Sequence, residues 1–224
     1  MKVKNIFILA AMSLTLASCS DLFEPAEENN RGLDEIYNEP TYAQGLLGYG
    51  YAMLPYNTKS VTDVATDDAV SNDLTNGYLK MATGSWTANS DPMDKWTSGR
   101  ASIQYLNIFL QEVDKVNWAK DENARKMYCD SRKGEAYALR ALNLYYLLMN
   151  HGGWTADGKL LGVPNLTVPE TSTDDFNKPR NTFQECLDQI YSDLDEAAKL
   201  LPLDYNDLTD DNAVPAKYKE IGVK

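Results

Sequence analysis

One histidine and three cysteines are present in 224 residues. A zinc centre or a catalytic thiol needs several such groups close together, and neither Cys129 nor Cys186 has a histidine nearby. Basic residues are also scarce: 21 Lys and Arg stand against 33 Asp and Glu, for a net charge of −12. Without a basic patch to hold phosphates, nucleic acid is excluded as a partner. The acids are spread along the chain, as on an ordinary solvated surface. No glycine-rich phosphate loop and no strand-like alternation of apolar and polar residues occurs, and no cofactor is implied. The apolar run from Ile6 to Ala17 is about twelve residues, too short for a bilayer that needs roughly 20.

What stands around that run is more informative. Lys2 and Lys4 give it a basic start, and small residues lead up to Cys19. A basic start, a short apolar centre and small residues before a cleavage point read as a secretory signal peptide over residues 1–18. Leu16-Ala17-Ser18-Cys19 resembles the lipobox of bacterial lipoproteins, in which the cysteine becomes the lipidated first residue. Cys19 is therefore the expected lipidation site, and two or more acyl chains give stable anchoring. Ser20-Asp21 with Glu24, Glu27 and Glu28 resembles the acidic export signal of surface lipoproteins in the Bacteroidetes. Asn29, Asn30 and Gly32 add a polar tether, so residues 19–40 are expected to be a lipidated N-terminus and flexible acidic tether. The expected location is the outer membrane, facing outwards.

Residues 41–224 read as a helical domain. Tyr42, Leu46, Tyr49 and Met53 recur at helical steps, and Pro55 ends that first helix near Tyr56. A second helix is expected from Met93 to Trp118, with Ile103, Leu106, Leu110 and Val113 as its stripe. A third runs from Glu122 to Asn150, with Tyr128, Ala136, Leu139, Leu142, Tyr146 and Met149 on one face. Thr182 and Glu185 have capping-box spacing at the start of a fourth. Its stripe is Phe183, Leu187, Ile190, Leu194, Ala197 and Leu201, and Pro202 stops it. Residues 57–91 and 152–180 are long connections, and loops of that length are usually functional or disordered. Cys129 and Cys186 fall on separate predicted helices, and nothing in their spacing favours a disulfide. The fold class is all-α. Small residues at crossing points, such as Ala136, Ala138 and Ala141, suggest tetratricopeptide-like helix pairs with long connecting loops, although no 34-residue period is visible.

The order of these features resembles the SusD/RagB family of Bacteroidetes outer-membrane lipoproteins. The resemblance rests on the lipobox and on the Gly134-Glu135-Ala136 and Leu139-Arg140-Ala141 core. It is continued by Gly162-Val163-Pro164, Pro179-Arg180, and Asp193-Leu194 followed by Ala197-Ala198 and Leu201-Pro202. His151 stands where relatives carry an aromatic residue, and an inserted Trp154–Leu161 segment separates Gly153 from Gly162. Relatives are longer, so the match is to an N-terminal portion. The resemblance implies a non-catalytic protein that caps a SusC-like TonB-dependent transporter and captures oligosaccharides, or peptides in the RagB branch.

Sugar capture needs aromatic faces for C–H surfaces and polar groups for hydroxyls. The loop after the first helix offers Asp67, Asp68, Asn72, Asp73, Tyr78 and Trp86, and Trp154 is a further candidate in the inserted segment. The alternative for Tyr78 and Trp86 is that they simply cover the helices. Glu135 and Arg140 read as polar groups that join helices, since a buried charge demands a partner. His151 lies at a helix C-terminus, where the macrodipole favours its charged form. The acidic run Asp204–Asn212 fails as a calcium loop, because Leu208 occupies a ligand slot. A helical scaffold that binds only proteins would bury its aromatics; a ligand-binding protein would expose them together. A hydrolase would need two convergent carboxylates, and no motif selects a pair.

Overall fold

A computed structural model describes residues 37–54 and 62–202. The leader, Cys19, most of the tether, Pro55 and the acidic run from Asp204 lie outside the described residues. Helix α1 spans Pro40–Ala52. A 3-10 turn at Thr62–Ala65 and a short helix α2, Tyr78–Ala82, follow. Helix α3 spans Trp96–Glu112 and tightens into a 3-10 turn at Val113–Lys115. The long helix α4 spans Glu122–His151, a two-residue hairpin pairs β1 (Gly153–Trp154) with β2 (Leu160–Leu161), and α5 spans Phe183–Leu200.

Local chemistry explains the boundaries, including those that differ from expectation. Helix α1 begins at Pro40 rather than Tyr42, because proline's fixed φ and missing N–H suit a first helical position. The packed region also reaches back to Tyr37, which lies against the core and bonds Glu112 and Lys115, so the tether's last residues belong to the folded body. Helix α3 starts later than Met93 because Asp91 and Asp94 side chains take the backbone N–H groups of Met93 and Trp96 in local turns. Asp121 caps α4 through the Ala124 N–H at 2.8 Å. At α5 the Thr182 hydroxyl and the Glu185 carboxylate satisfy each other's backbone N–H groups in a full capping box. Replacing Thr182 with Ala is expected to cost about 1 kcal/mol in urea denaturation, the usual value of an N-cap hydroxyl.

Consecutive long helices pack as neighbours, α1 on α3, α3 on α4 and α4 on α5. Helix α4 is shared by two core clusters. Cys129, Ala136 and Leu139 join Ala43 and Leu47 of α1 with Leu106 and Phe109 of α3. Ala141, Leu144, Leu147 and Leu148 join Ile103 of α3 with Cys186 and Ile190 of α5. Being flanked on two sides, α4 buries a wide arc rather than one stripe. That is why Tyr128, Leu142 and Met149, expected on its inner face, are exposed, while Asn143, Leu144 and Leu147 are buried. On α5 likewise Leu194 is exposed, and Cys186 and Asp193 complete the inner face. Gly99 lets α3 approach α4: a Cβ there would sit 2.9 Å from Leu147 Cγ.

Cys129 and Cys186 are separate buried thiols, one in each cluster. Burial, with a bond to Asp114 behind it, pushes the Cys129 thiol up to about 12, the setting of an inert core thiol. The alternation sought in the sequence is absent from the hairpin because its strands are two residues long, and the inserted segment forms this hairpin. Among the described residues no helix is long and apolar enough to cross a membrane.

Candidate ligand-binding face

Helix α3 lays a polar ladder against the chain that follows the hairpin. Asn107 Nδ2 donates to the carbonyls of Leu166 and Val168, each at 3.0 Å. One turn earlier, the Gln104 amide donates to Glu170 O at 2.7 Å and accepts from Glu170 N at 2.8 Å. A turn before that, Arg100 pairs with the Glu170 carboxylate at 3.0 Å. At the far side Arg180 donates to the carbonyls of Gly162, Leu161 and His151 at 2.7, 3.0 and 3.0 Å. Both ends of the 162–180 connection are thus fixed, and residues 171–180 between them are exposed.

The start of α3 meets the end of α4. Asn150 Nδ2 donates to Met93 O at 2.9 Å. The His151 ring stands edge-on to Trp96, with centroids 5.4 Å apart, and the Arg100 guanidinium lies 5.3 Å from the Trp96 ring centroid. The segment that carries Trp86 closes on itself just before α3. Lys80 Nζ donates to Ser90 Oγ at 2.6 Å, and a cavity of about 170 Å³ runs from Gly77 to Asp94. The hairpin with Trp154 leaves from the same end of α4. Trp96, packed on His151, and Trp154, three residues beyond it, therefore stand at one end of the helix set, with fractional exposures of 39% and 74%, and Trp86, on the segment before α3, is 51% exposed.

The residues singled out from the sequence divide at this point. Trp86 and Trp154 are exposed, and Trp154 follows directly on the end of α4. Tyr78 is half-buried at the first turn of α2. Asp67, Asp68, Asn72 and Asp73 are exposed. Asp73 is engaged in its own turn, accepting from Thr75 Oγ1 at 2.6 Å and Thr75 N at 2.9 Å, and these bonds hold its carboxyl below the usual range. Among the described residues no hydrogen bond, ion pair or ring contact joins any two of the seven. Trp96 and Arg100 went unnoticed in the sequence. Their four-residue spacing behind Asp94 was the available signal, because it sets the guanidinium over the indole.

Glu135 and Arg140 join helices. Tyr51 of α1 donates to Glu135 at 3.0 Å, and Arg132 also pairs with it. Arg140 pairs with Asp193 of α5 and bonds Asn107 of α3.

This architecture is an all-α arrangement of stacked helix neighbours with exposed aromatics at one end. The chain belongs to the SusD-like family, whose model, described as starch-binding and associating with the outer membrane, matches residues 32–217. It is 27% identical over 219 residues to a SusD-like protein of Formosa agariphila, covering 93% of this chain and 40% of that protein. A solved protein from Bacteroides vulgatus, described as a putative sugar-binding protein, aligns with a TM-score of 0.57 at 28% identity, over 75% of this chain and 38% of its own. A SusD-like protein from Bacteroides fragilis shares the fold with a TM-score of 0.61 at 19% identity, over 83% of this chain and 35% of its own. The chain thus spans about 40% of the length of the relatives it matches.

Proposed function

We propose that this chain belongs to a surface lipoprotein that captures glycans and delivers them to a SusC-like TonB-dependent transporter. The observation that carries the reading is the exposure of Trp96 and Trp154 at the α3–α4 end, since a scaffold binding only proteins would bury them. The sugar- and starch-binding descriptions of its relatives support the same ligand class. In this reading Cys19 carries the lipid anchor that holds the protein at the outer membrane. Trp96, backed by Arg100 and Glu170, is the fixed platform, and Trp86 and Trp154 are its flanks. Acidic side chains on the segment that leads into α3, Asp91 and Asp94, accept hydroxyl hydrogen bonds.

Isothermal titration of the full-length protein against a glycan panel and a peptide pool tests this. A bound oligosaccharide should lose about three- to tenfold in affinity on Trp96→Ala, the worth of one aromatic contact. Heat evolved only with peptides would transfer the protein to a peptide-capturing role, and binding to neither would end the proposal.

A further inference from the structure

We infer that His151 is a proton-operated latch between the end of α4 and the start of α3, and that Trp96 is the part it moves. A single nitrogen has two partners that require opposite protonation states. His151 Nε2 lies 3.3 Å from the Lys95 backbone N, whose N–H points at it and needs a lone pair there. The same Nε2 lies 3.3 Å from Asp94 Oδ1, which can only accept and so needs an N–H there. A neutral ring with its proton on Nδ1 holds the Lys95 N–H and turns a lone pair towards a carboxylate. A charged ring donates to Asp94 and leaves the Lys95 N–H without its acceptor. Histidine is the side chain that changes charge near neutral pH, so both states are within reach.

The exchange matters because of what hangs on it. Asp94 Oδ1 also accepts from the Trp96 backbone N–H at 2.9 Å, so the carboxylate that His151 would recruit is the one that sets the first turn of α3. The Trp96 ring packs against the imidazole, and the Arg100 guanidinium lies 5.3 Å from its centroid. Every charged group facing the imidazole weighs on the balance. These are Asp94, the carbonyl end of α4, Arg180, which donates to His151 O, Arg100, reached through Trp96, and the Lys95 ammonium carried by the same segment. The latch is a property of these contacts and stands whether or not the ligand is a sugar.

His151 is the only histidine in the chain, so its ring signals in NMR are unambiguous. Nitrogen-15 shifts of the neutral ring in the whole protein should show the proton on Nδ1. As pH falls, the Trp96 indole N–H signal, assigned with Trp96→Phe, should shift with the same midpoint as the His151 ring, and the Lys95 amide should exchange faster. His151→Gln should abolish the pH response of Trp96. Because Gln can still accept from Lys95, the fold should survive. A neutral ring protonated on Nε2, or a Trp96 signal that stays still while His151 titrates, would overturn the inference. The wild-type measurements decide it even if a variant fails to fold.

Discussion

Replacing Asp193 with Ala should remove about 3–5 kcal/mol of stability, read as a shift of the urea midpoint without a large change in slope. Arg140 and Asp193 are 7% and 2% exposed, and they meet side-on through two bonds, Nε to Oδ2 at 2.8 Å and Nη2 to Oδ1 at 2.6 Å. Both hydrogens of Nη1 are also taken, by Asn107 Oδ1 at 2.9 Å and the Thr167 carbonyl at 3.2 Å. Gln189 Nε2 donates to Asp193 Oδ1 at 3.0 Å. Deleting the carboxylate would leave a guanidinium sealed among α3, α4 and α5 with no counter-charge, which is the costly case for a buried pair. The double variant Arg140→Met with Asp193→Leu should recover most of the loss, because apolar residues of similar size avoid the desolvation penalty. A loss below about 1 kcal/mol for Asp193→Ala would mean that the pair does not join the helices as its geometry states.

The same pair shows what could be read from the chain and what could not. Helical periodicity, caps and stops located the long helices within a few residues, because these signals are local: Thr182 with Glu185 announces α5, and Gly152 ends α4. Arg140 and Glu135 could be assigned a joining role because a charge on an inner helix face must find a partner. The identity of that partner, Asp193, lies 53 positions away and is set by tertiary packing. Tyr128, Leu142 and Met149 were misplaced for a related reason, since periodicity assumes one buried stripe and α4 has neighbours on two sides. The exposure of Trp86 and Trp154 was legible, because both are large aromatics in loops. Trp96 was hidden by the expectation that its helix begins at Met93, which ignored the competition of Asp91 and Asp94 for backbone N–H groups.

Gly162→Ala should destabilise the protein by about 2–3 kcal/mol, although it adds one methyl group. A Cβ at this position would lie 2.3 Å from Cys186 Sγ, 3.0 Å from Leu148 Cδ1 and 3.2 Å from the Thr182 carbonyl. None of these can retreat cheaply. Cys186 is fully buried, and its thiol donates to Val163 O at 3.3 Å while accepting from Val163 N at 3.4 Å. The backbone of Gly162 is held as well, donating to Asn181 O at 2.8 Å and accepting from Arg180 Nε at 2.7 Å. The chain therefore passes between α4 and α5 at a gap sized for glycine, and this is what the Gly162-Val163-Pro164 motif secures. Cys186→Ala removes the sulfur that the new methyl meets, so a double-mutant cycle separates crowding from a general loss of packing. The Gly162→Ala, Cys186→Ala double variant should be more stable than the sum of the two single losses allows, by about 1 kcal/mol or more. Strict additivity would place the cost of the added methyl at Leu148 and the Thr182 carbonyl instead, and would remove Cys186 as the wall of the gap.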